Sequence, residues 1–317
     1  MEAPLAIFEL GINHLGDVNR AKRMIDVLIS EGATHATIQA LVDPSAYSRD
    51  LQAADTLSRY CIGLEDIISI IRYAVARGLT MGVTVLDPTQ VLPLADSGAA
   101  FFKILSSDIS FTPLHTAVVR SGLPFYLSTG ACELDDIAHS LELIRVQNAK
   151  ADVRLIHTVL GVPTPAPLVQ LKNIALLRAR FDVPVAYGQH SDISLALPLS
   201  LACGAESVFV YVAEELSAQL PDGPHAVRCS EVGGILSELS QARTIFGTEE
   251  RVLGAKEKAL KNEIRRSIVA ARRIVKGERI TEDMLAFKRP GTGRSVWELS
   301  SVVGSTATHD YQTDDDI

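Results

Sequence analysis

Short apolar runs alternate with longer amphipathic stretches along roughly the first 250 residues of the chain. Runs of this length, bounded by polar residues or glycine, are typical of buried strands. Eight of them occur: LAIFEL (5–10), HATIQAL (35–41), TMGVTVL (80–86), AFFKIL (100–105), PFYLST (124–129), DVRLIHTV (152–159), VPVAYG (183–188) and ESVFVYV (206–212). The stretches after each run have helical spacing, and several end at a glycine that favours a helix stop, namely Gly78, Gly98, Gly122 and Gly204.

This strand–helix repetition predicts a (β/α)8 TIM barrel. An open doubly wound sheet is the alternative, but ELGINHLG after the first strand lacks the GxGxxG phosphate fingerprint of that fold. In a barrel, the chemically active side chains lie at the carboxyl ends of the strands. The ends of the eight runs are therefore the places to search for a site.

The pattern changes near residue 249. EERVLGAKEKALKNE is highly charged and predicts a linker over 249–263, which leaves a barrel domain over 1–248. Residues 264–317 contain short apolar runs, a KGE turn and no further strand–helix unit, so they predict a small, mostly β module.

Composition excludes several classes of function. The chain has 317 residues, a net charge of -8 and a pI near 5.5, which gives nucleic-acid binding no electrostatic support. Four scattered cysteines without a CxxC pair predict reduced thiols and a cytoplasmic location. MEAPLAIFEL has no basic segment before its apolar residues, and no apolar run reaches membrane-spanning length, so we expect neither a signal peptide nor a membrane partner.

Polar side chains occur at the ends of the predicted strands. A lysine, several hydroxyls and carboxylates together could bind an anionic substrate and transfer protons. The set is Glu9, Asn13, His14, Gln39, Thr84, Lys103, Ser106, Asp108, Ser128, Thr129, Gly130, His157, Thr158, His190, Ser191 and Asp192.

Each of these residues also has a structural interpretation. Glu9 and Lys103 lie in apolar strands, so each could belong to a buried ion pair instead of a substrate site. LSTG (127–130) could bind phosphate or be an ordinary turn. His157 and His190, taken singly, are more often core histidines than ligands.

Five ordered blocks resemble the N-acetylneuraminate (sialic acid) synthase family. The first three are FELGINHLGDVNRAKRMIDVLISEGA, FFKILSSDISFTPL and PFYLSTGACELDDI. They are similar to AEIGxNHxG, YKIxSxExxxxPL and PxxLSTGM of that family. RLIHTVLGVPTP resembles LLHCxxxYPTP, and RRSIVAARRIVKGERITEDMLAFKRPGTG resembles the start of the family's antifreeze-like (SAF) β-clip module.

The resemblance implies a barrel followed by a β-clip module in a domain-swapped homodimer. It also implies the condensation of phosphoenolpyruvate (PEP) with an N-acyl hexosamine aldehyde, giving a nine-carbon 2-keto acid and phosphate. In the family a divalent metal, Mn²⁺ or Mg²⁺, polarises the aldehyde. Such chemistry requires cationic and hydroxyl groups for the anion and carboxylates for proton transfer.

The resemblance also implies residue roles. Glu9, Asp108 and His190 fall on catalytic positions, and His190 falls on the metal histidine of GYSDHT, with His225 as the candidate second ligand. The positions expected to bind substrate are Asn13, Thr84, Lys103, Ser106, Ser128 and Arg289, the last reaching the sugar from the partner's module.

Several family positions differ in this chain. Thr37 stands where the family has a PEP lysine. Aligned without gaps, Val210 and Val212 stand where the family's VIEKHFT has a catalytic glutamate and the second metal histidine. In GPDHxxS the aspartate is displaced, while His225 remains. Valine neither binds metal nor transfers protons, and loss of a proton-transfer group costs about 10²–10⁴ in rate.

Three functions are therefore open from sequence. The chain could be a working synthase of this family, and this is the interpretation we favour. It could instead be a catalytically impaired paralogue with a binding or regulatory role, which would explain the substitutions. A third alternative is a different reaction, with or without a metal, that re-uses Glu9, Asp108, His157, His190 and Glu214.

Overall fold

The computed structural model describes residues 5–217, 219–248 and 250–317. The chain divides into two compact units, Met1–Gly247 and Thr248–Ile317, and each is described by itself. None of the helices in the described ranges combines the length and hydropathy that crossing a membrane would require.

The first unit is a closed parallel barrel. Each strand pairs with the next in parallel, and the first pairs with the eighth, which closes the sheet. The strands are β1 Ala6–Glu9, β2 His35–Gln39, β3 Thr80–Thr84, β4 Phe101–Ile104, β5 Phe125–Ser128, β6 Val153–His157, β7 Val185–Gly188 and β8 Val208–Ala213. A short strand, β9 Val227–Arg228, adds to the carboxyl end of β8. The predicted (β/α)8 fold is confirmed.

Helices follow the strands on the outside of the barrel. α1 spans Val18–Ser30, α4 Leu64–Val75, α5 Val91–Asp96, α6 Thr112–Ser121, α7 Leu134–Gln147, α9 Lys172–Phe181, α10 Ala196–Ala202 and α11 Val232–Phe246. The hydrophobic pattern did not predict three shorter helices, α2 Pro44–Tyr47, α3 Leu51–Ser58 and α8 Ala166–Val169, which lie in connections. Gly122 ends α6 at φ 73°, the left-handed conformation expected of a helix-stop glycine.

Alternation along the strands separates two cores. One face of each strand packs against the helices in a large outer cluster. The opposite face fills the barrel interior with a smaller cluster, which consists of Ile7, Phe101, Tyr126, Ile156, Ala186 and Phe209. Gly82 leaves room for this interior packing, because a Cβ there would lie 2.2 Å from the Phe101 ring. A side chain two residues beyond an interior core residue therefore also points inward, at the barrel mouth.

The second unit has its own small core. Strands β10 Ser267–Ala270 and β11 Leu285–Lys288 pair antiparallel, and isolated bridges connect further segments to them. Their buried side chains, including Ile268, Ile274 and Tyr311, pack together. α12 Ala255–Ile264 covers much of the stretch expected to be a linker, and α13 Leu299–Val302 completes this fold.

Candidate functional site

The carboxyl end of the barrel gathers the polar strand ends. Glu9, Thr37, Thr84, Lys103 and Ser128 are all buried, and their strand neighbours belong to the outer core. Strand alternation therefore directs these five side chains into the barrel. The sequence placed all of them in the predicted strands. The tertiary fold brings strands from distant parts of the chain around one mouth.

Glu9 and Lys103 form an ion pair inside this mouth. The Lys103 ammonium donates to Glu9 Oε2, and the two side chains are only 5% (Lys103) and 3% (Glu9) exposed. The ammonium also lies 5.3 Å from the Phe209 ring centre and 5.4 Å from that of Tyr211. Sequence left open whether each residue had a structural partner, and in the structure each is the partner of the other. The pair holds the Lys103 ammonium in a fixed position at the base of the mouth.

His190 follows β7 and faces the same region. Its Nδ1 lies 3.0 Å from the Val159 carbonyl oxygen, and because a carbonyl only accepts, Nδ1 carries the proton. The Nε2 lone pair is then available for a ligand or a proton. Burial first, and the charge of Lys103 second, lower the pKa of His190 to about 4. His190 is therefore neutral near pH 7.

His225 lies against His190. The two ring centres are 5.0 Å apart at a steep angle, and Tyr211 packs on both rings. Neither ring nitrogen of His225 has a hydrogen-bond partner in the part of the chain that the structure describes, although the residue is buried. Burial, then His190 and Lys103, lower the pKa of His225 to about 3. The side chains of His190, Tyr211 and His225 are neutral, and they are called the aromatic wall below.

The structure shows which residues of strand β8 face the barrel mouth. Val210 and Val212 belong to the outer core between the sheet and the helices, so neither side chain points into the mouth. Phe209 is in the barrel interior, and Tyr211 belongs to the aromatic wall. Val210 and Val212, which the gapless alignment set at the family's glutamate and histidine, therefore face away from the mouth. Phe209 and Tyr211 occupy the inward positions.

Asp222 is a mouth residue that sequence reasoning missed. Burial, followed by the nearby charge of Glu9, raises the pKa of this carboxyl to about 6. The carboxylate fits where Gly11 lacks a side chain, since a Cβ there would lie 2.5 Å from Asp222 Oδ2. The sequence signal was the aspartate of GPDHxxS, here displaced to precede Gly223. The displaced carboxyl still lies close enough to the Glu9–Lys103 pair to interact electrostatically with both charges.

Asn13 holds this loop in place. Its Nδ2 donates to the Val212 carbonyl at 2.9 Å, and its Oδ1 accepts from the Asp222 N–H at 3.2 Å. The side chain is completely buried. Asn13 was expected to bind substrate, but both ends of its amide are engaged in the protein's own hydrogen bonds. Its contacts fit a positioning role.

Ser106 and Asp108 lie on a short 3-10 helix directly after β4. Burial raises the pKa of Asp108 to about 6, and its backbone carbonyl oxygen lies 3.0 Å from His115 Nε2. A half-buried carboxyl of this kind keeps a protonated fraction near neutral pH. That property suits a general acid.

Two candidates of the first unit lie away from the mouth, and a third belongs to the second unit. His157 Nε2 is 2.9 Å from the Val169 carbonyl of α8, and the side chain points to the outer core. Glu214 pairs with Arg20 and Arg23 outside the mouth. Arg289 is an exposed residue of the second unit, directly after β11. The structure of the first unit does not bring His157 or Glu214 to the mouth.

The chain is similar to known proteins over almost its whole length. Residues 22–251 match the NeuB family and residues 265–315 match the SAF domain. An uncharacterized protein of Methanocaldococcus jannaschii is 29% identical over 100% of this chain and 94% of its own length. The N,N'-diacetyllegionaminic acid synthase of Campylobacter jejuni is 27% identical over 99% of both chains.

Solved structures agree with the fold. The N-acetylneuraminic acid synthetase of Leptospira borgpetersenii superposes with a TM-score of 0.76 at 24% identity, over 81% of this chain and 90% of that one. This likeness supports the barrel, while the match to residues 22–251 covers well over half of the sequence. The protein therefore belongs to the NeuB family and carries a C-terminal SAF domain.

Proposed function

We propose that the protein condenses PEP with an N-acyl hexosamine-type aldehyde to form a nonulosonic acid. The observation that carries this proposal is the buried Glu9–Lys103 pair, which fixes one cation among inward hydroxyls at the barrel mouth. A PEP anion needs such a cation in a site shielded from water. Family membership and the synthase named among the relatives support the same reaction.

The chain's own side chains suggest roles in the reaction. Lys103, with hydroxyl donors from Thr84, Ser106 and Ser128, would bind the carboxylate and phosphate of PEP. C3 of PEP then bonds to the aldehyde carbon, while a protonated Asp108 gives its proton to the aldehyde oxygen. Water adds at C2 and gives one proton to His190 Nε2. The C2–O bond to phosphate then breaks as the 2-keto group forms, and the leaving phosphate takes the second proton of the water.

The test is phosphate release from PEP with a panel of N-acyl hexosamines, each assayed with Mn²⁺ and with EDTA. Lys103→Met is the matched inactive variant, because Met keeps the stem of lysine and removes its charge. Turnover by the natural chain, lost in a Lys103→Met chain that circular dichroism shows to be folded, supports the proposal. Absence of phosphate release with every aldehyde contradicts it.

A catalytically impaired paralogue is the second candidate. Thr37 points into the mouth where the family has its PEP lysine, and Phe209 and Tyr211 occupy the inward positions of β8. Charge-assisted hydrogen bonds of the kind that the lysine would make are worth about 1.5–3 kcal/mol each. Calorimetric binding of PEP without any turnover would favour this second function.

We also propose a domain-swapped homodimer, as the resemblance implies, and a cytoplasmic location, as the scattered cysteines predict. Complementation tests the swap: Glu9→Gln and Arg289→Ala chains are inactive alone, and mixing them restores activity only if Arg289 serves the barrel of the partner. Mixed dimers that stay inactive would contradict the exchange. Sedimentation of the purified chain gives the oligomeric state independently.

A further inference from the structure

The mouth offers few ligands for a divalent metal. Mg²⁺ and Mn²⁺ prefer oxygen donors, above all free carboxylates with water completing the shell, whereas imidazole suits Zn²⁺ and similar ions better. Within 5–217, 219–248 and 250–317, no group of three or more His, Cys, Asp or Glu side chains is arranged to hold a metal ion. The imidazole donors at the mouth are His190 Nε2, at the position that the resemblance gives to a metal histidine, and the ring nitrogens of His225, which have no hydrogen-bond partner among the described residues.

Tyr211 is the inward residue of β8 beside His190, on the strand where the resemblance implies a second metal histidine. This side chain follows Phe209 on the inward face of β8 and packs 5.9 Å from His190 and 4.8 Å from His225 between ring centres. A phenol is not among the usual ligands of Mg²⁺ or Mn²⁺. Tyr211 therefore adds an aromatic ring beside His190, as part of the aromatic wall, and no metal ligand.

The two carboxylates that could join His190 are already engaged. Glu9 accepts the hydrogen bond of the Lys103 ammonium. Asp222 accepts from the backbone N–H of Ile12. A cation beside His190 would also lie near the Lys103 ammonium, because Tyr211 is 5.4 Å from that ammonium and 5.9 Å from the His190 ring, measured to ring centres. The metal that the family implies does not fit this donor set.

We infer that this chain binds no resident divalent metal at the barrel mouth, and that Lys103, held by Glu9, supplies the positive charge there. The substitution responsible is Tyr211, on the inward face of β8. Metal binding is measured separately from PEP turnover, so either result can fail without the other.

Restoring the ligand tests the inference. Free Mn²⁺ is followed by electron paramagnetic resonance during titration of the natural chain, Tyr211→His and Val212→His. We expect at least a tenfold gain in Mn²⁺ affinity for Tyr211→His alone, about 1.4 kcal/mol, because residue 211 faces His190 and residue 212 faces the helices. Adding His190→Ala to Tyr211→His should abolish the gain.

Each other outcome overturns the inference. One Mn²⁺ bound tightly by the natural chain and lost in His190→Ala would show that the mouth is already a metal site. A gain in Val212→His instead of Tyr211→His would overturn the assignment of the inward face, and a gain in neither folded variant would exclude Tyr211 as the cause. If circular dichroism shows that a variant is unfolded, the comparison of the natural chain with His190→Ala still decides.

Discussion

Breaking the Glu9–Lys103 pair should strongly reduce the free energy of unfolding. Both side chains are at most 5% exposed, so replacing one partner leaves a buried charge without its counterion. Breaking such a pair costs about 3–5 kcal/mol, whereas replacing both partners by apolar residues is often neutral or stabilising. We therefore expect Glu9→Leu and Lys103→Met each to lose about 3–5 kcal/mol of unfolding free energy. The double variant should recover most of it.

Urea unfolding followed by far-UV circular dichroism measures this cycle. Helices α1 to α11 belong to the barrel unit and dominate that signal. Fluorescence would report on the wrong unit, because the chain's single tryptophan, Trp297, lies in the second one and is 86% exposed. Glu9→Gln is the size-matched control: it removes the charge with little change in volume and should destabilise about as much as Glu9→Leu.

Additivity would refute the reasoning. If the double variant loses the sum of the two single losses, the charges do not compensate each other and the pair is not the reason for their burial. Single losses below about 1 kcal/mol, the range of exposed pairs, would show instead that water reaches the pair.

Three further predictions follow from the packing. The raised pKa of Asp222 means that its contribution to stability is full below about pH 4 and is lost as pH rises through about 6. Measured by urea titration, the unfolding free energy of Asp222→Asn should therefore rise relative to that of the natural chain by up to about 3 kcal/mol between pH 4 and pH 6. A difference between the two chains that does not change with pH would contradict the burial of the carboxyl. Gly82→Ala places a methyl against the Phe101 ring and should cost about 1–3 kcal/mol of unfolding free energy. Gly234→Ala on α11 is the control, because a Cβ there meets nothing within 4 Å and should not destabilise the fold. Equal melting temperatures for the two variants would be inconsistent with this packing. Asn13→Ala removes both hydrogen bonds that hold the Asp222 loop and should cost about 1–3 kcal/mol in thermal melts, with a loss below about 0.5 kcal/mol counting against the positioning role.

Sequence by itself determined the architecture. Each predicted apolar run overlaps one observed strand, because strands buried on both faces must be apolar throughout and short. Glycines after amphipathic stretches marked helix ends for the same local reason. The strand ends at Glu9, Lys103 and Ser128 could be located because a barrel collects all carboxyl ends at one mouth. The ordered family blocks then indicated the chemistry expected there.

Tertiary structure decided the contacts. Glu9 and Lys103 are 94 residues apart, so nothing local in the sequence could pair them. Asn13 and Asp222 are 209 residues apart, and the hydrogen bond between them holds the Asp222 carboxyl at the mouth. The family motif alone had not indicated this carboxyl, because its aspartate is displaced in this chain. The inward face of β8 depends on a one-residue register, and a shift of one residue exchanges the two faces of a strand. Only the packing of Val210 and Val212 against the helices shows that Tyr211, and not valine, faces His190.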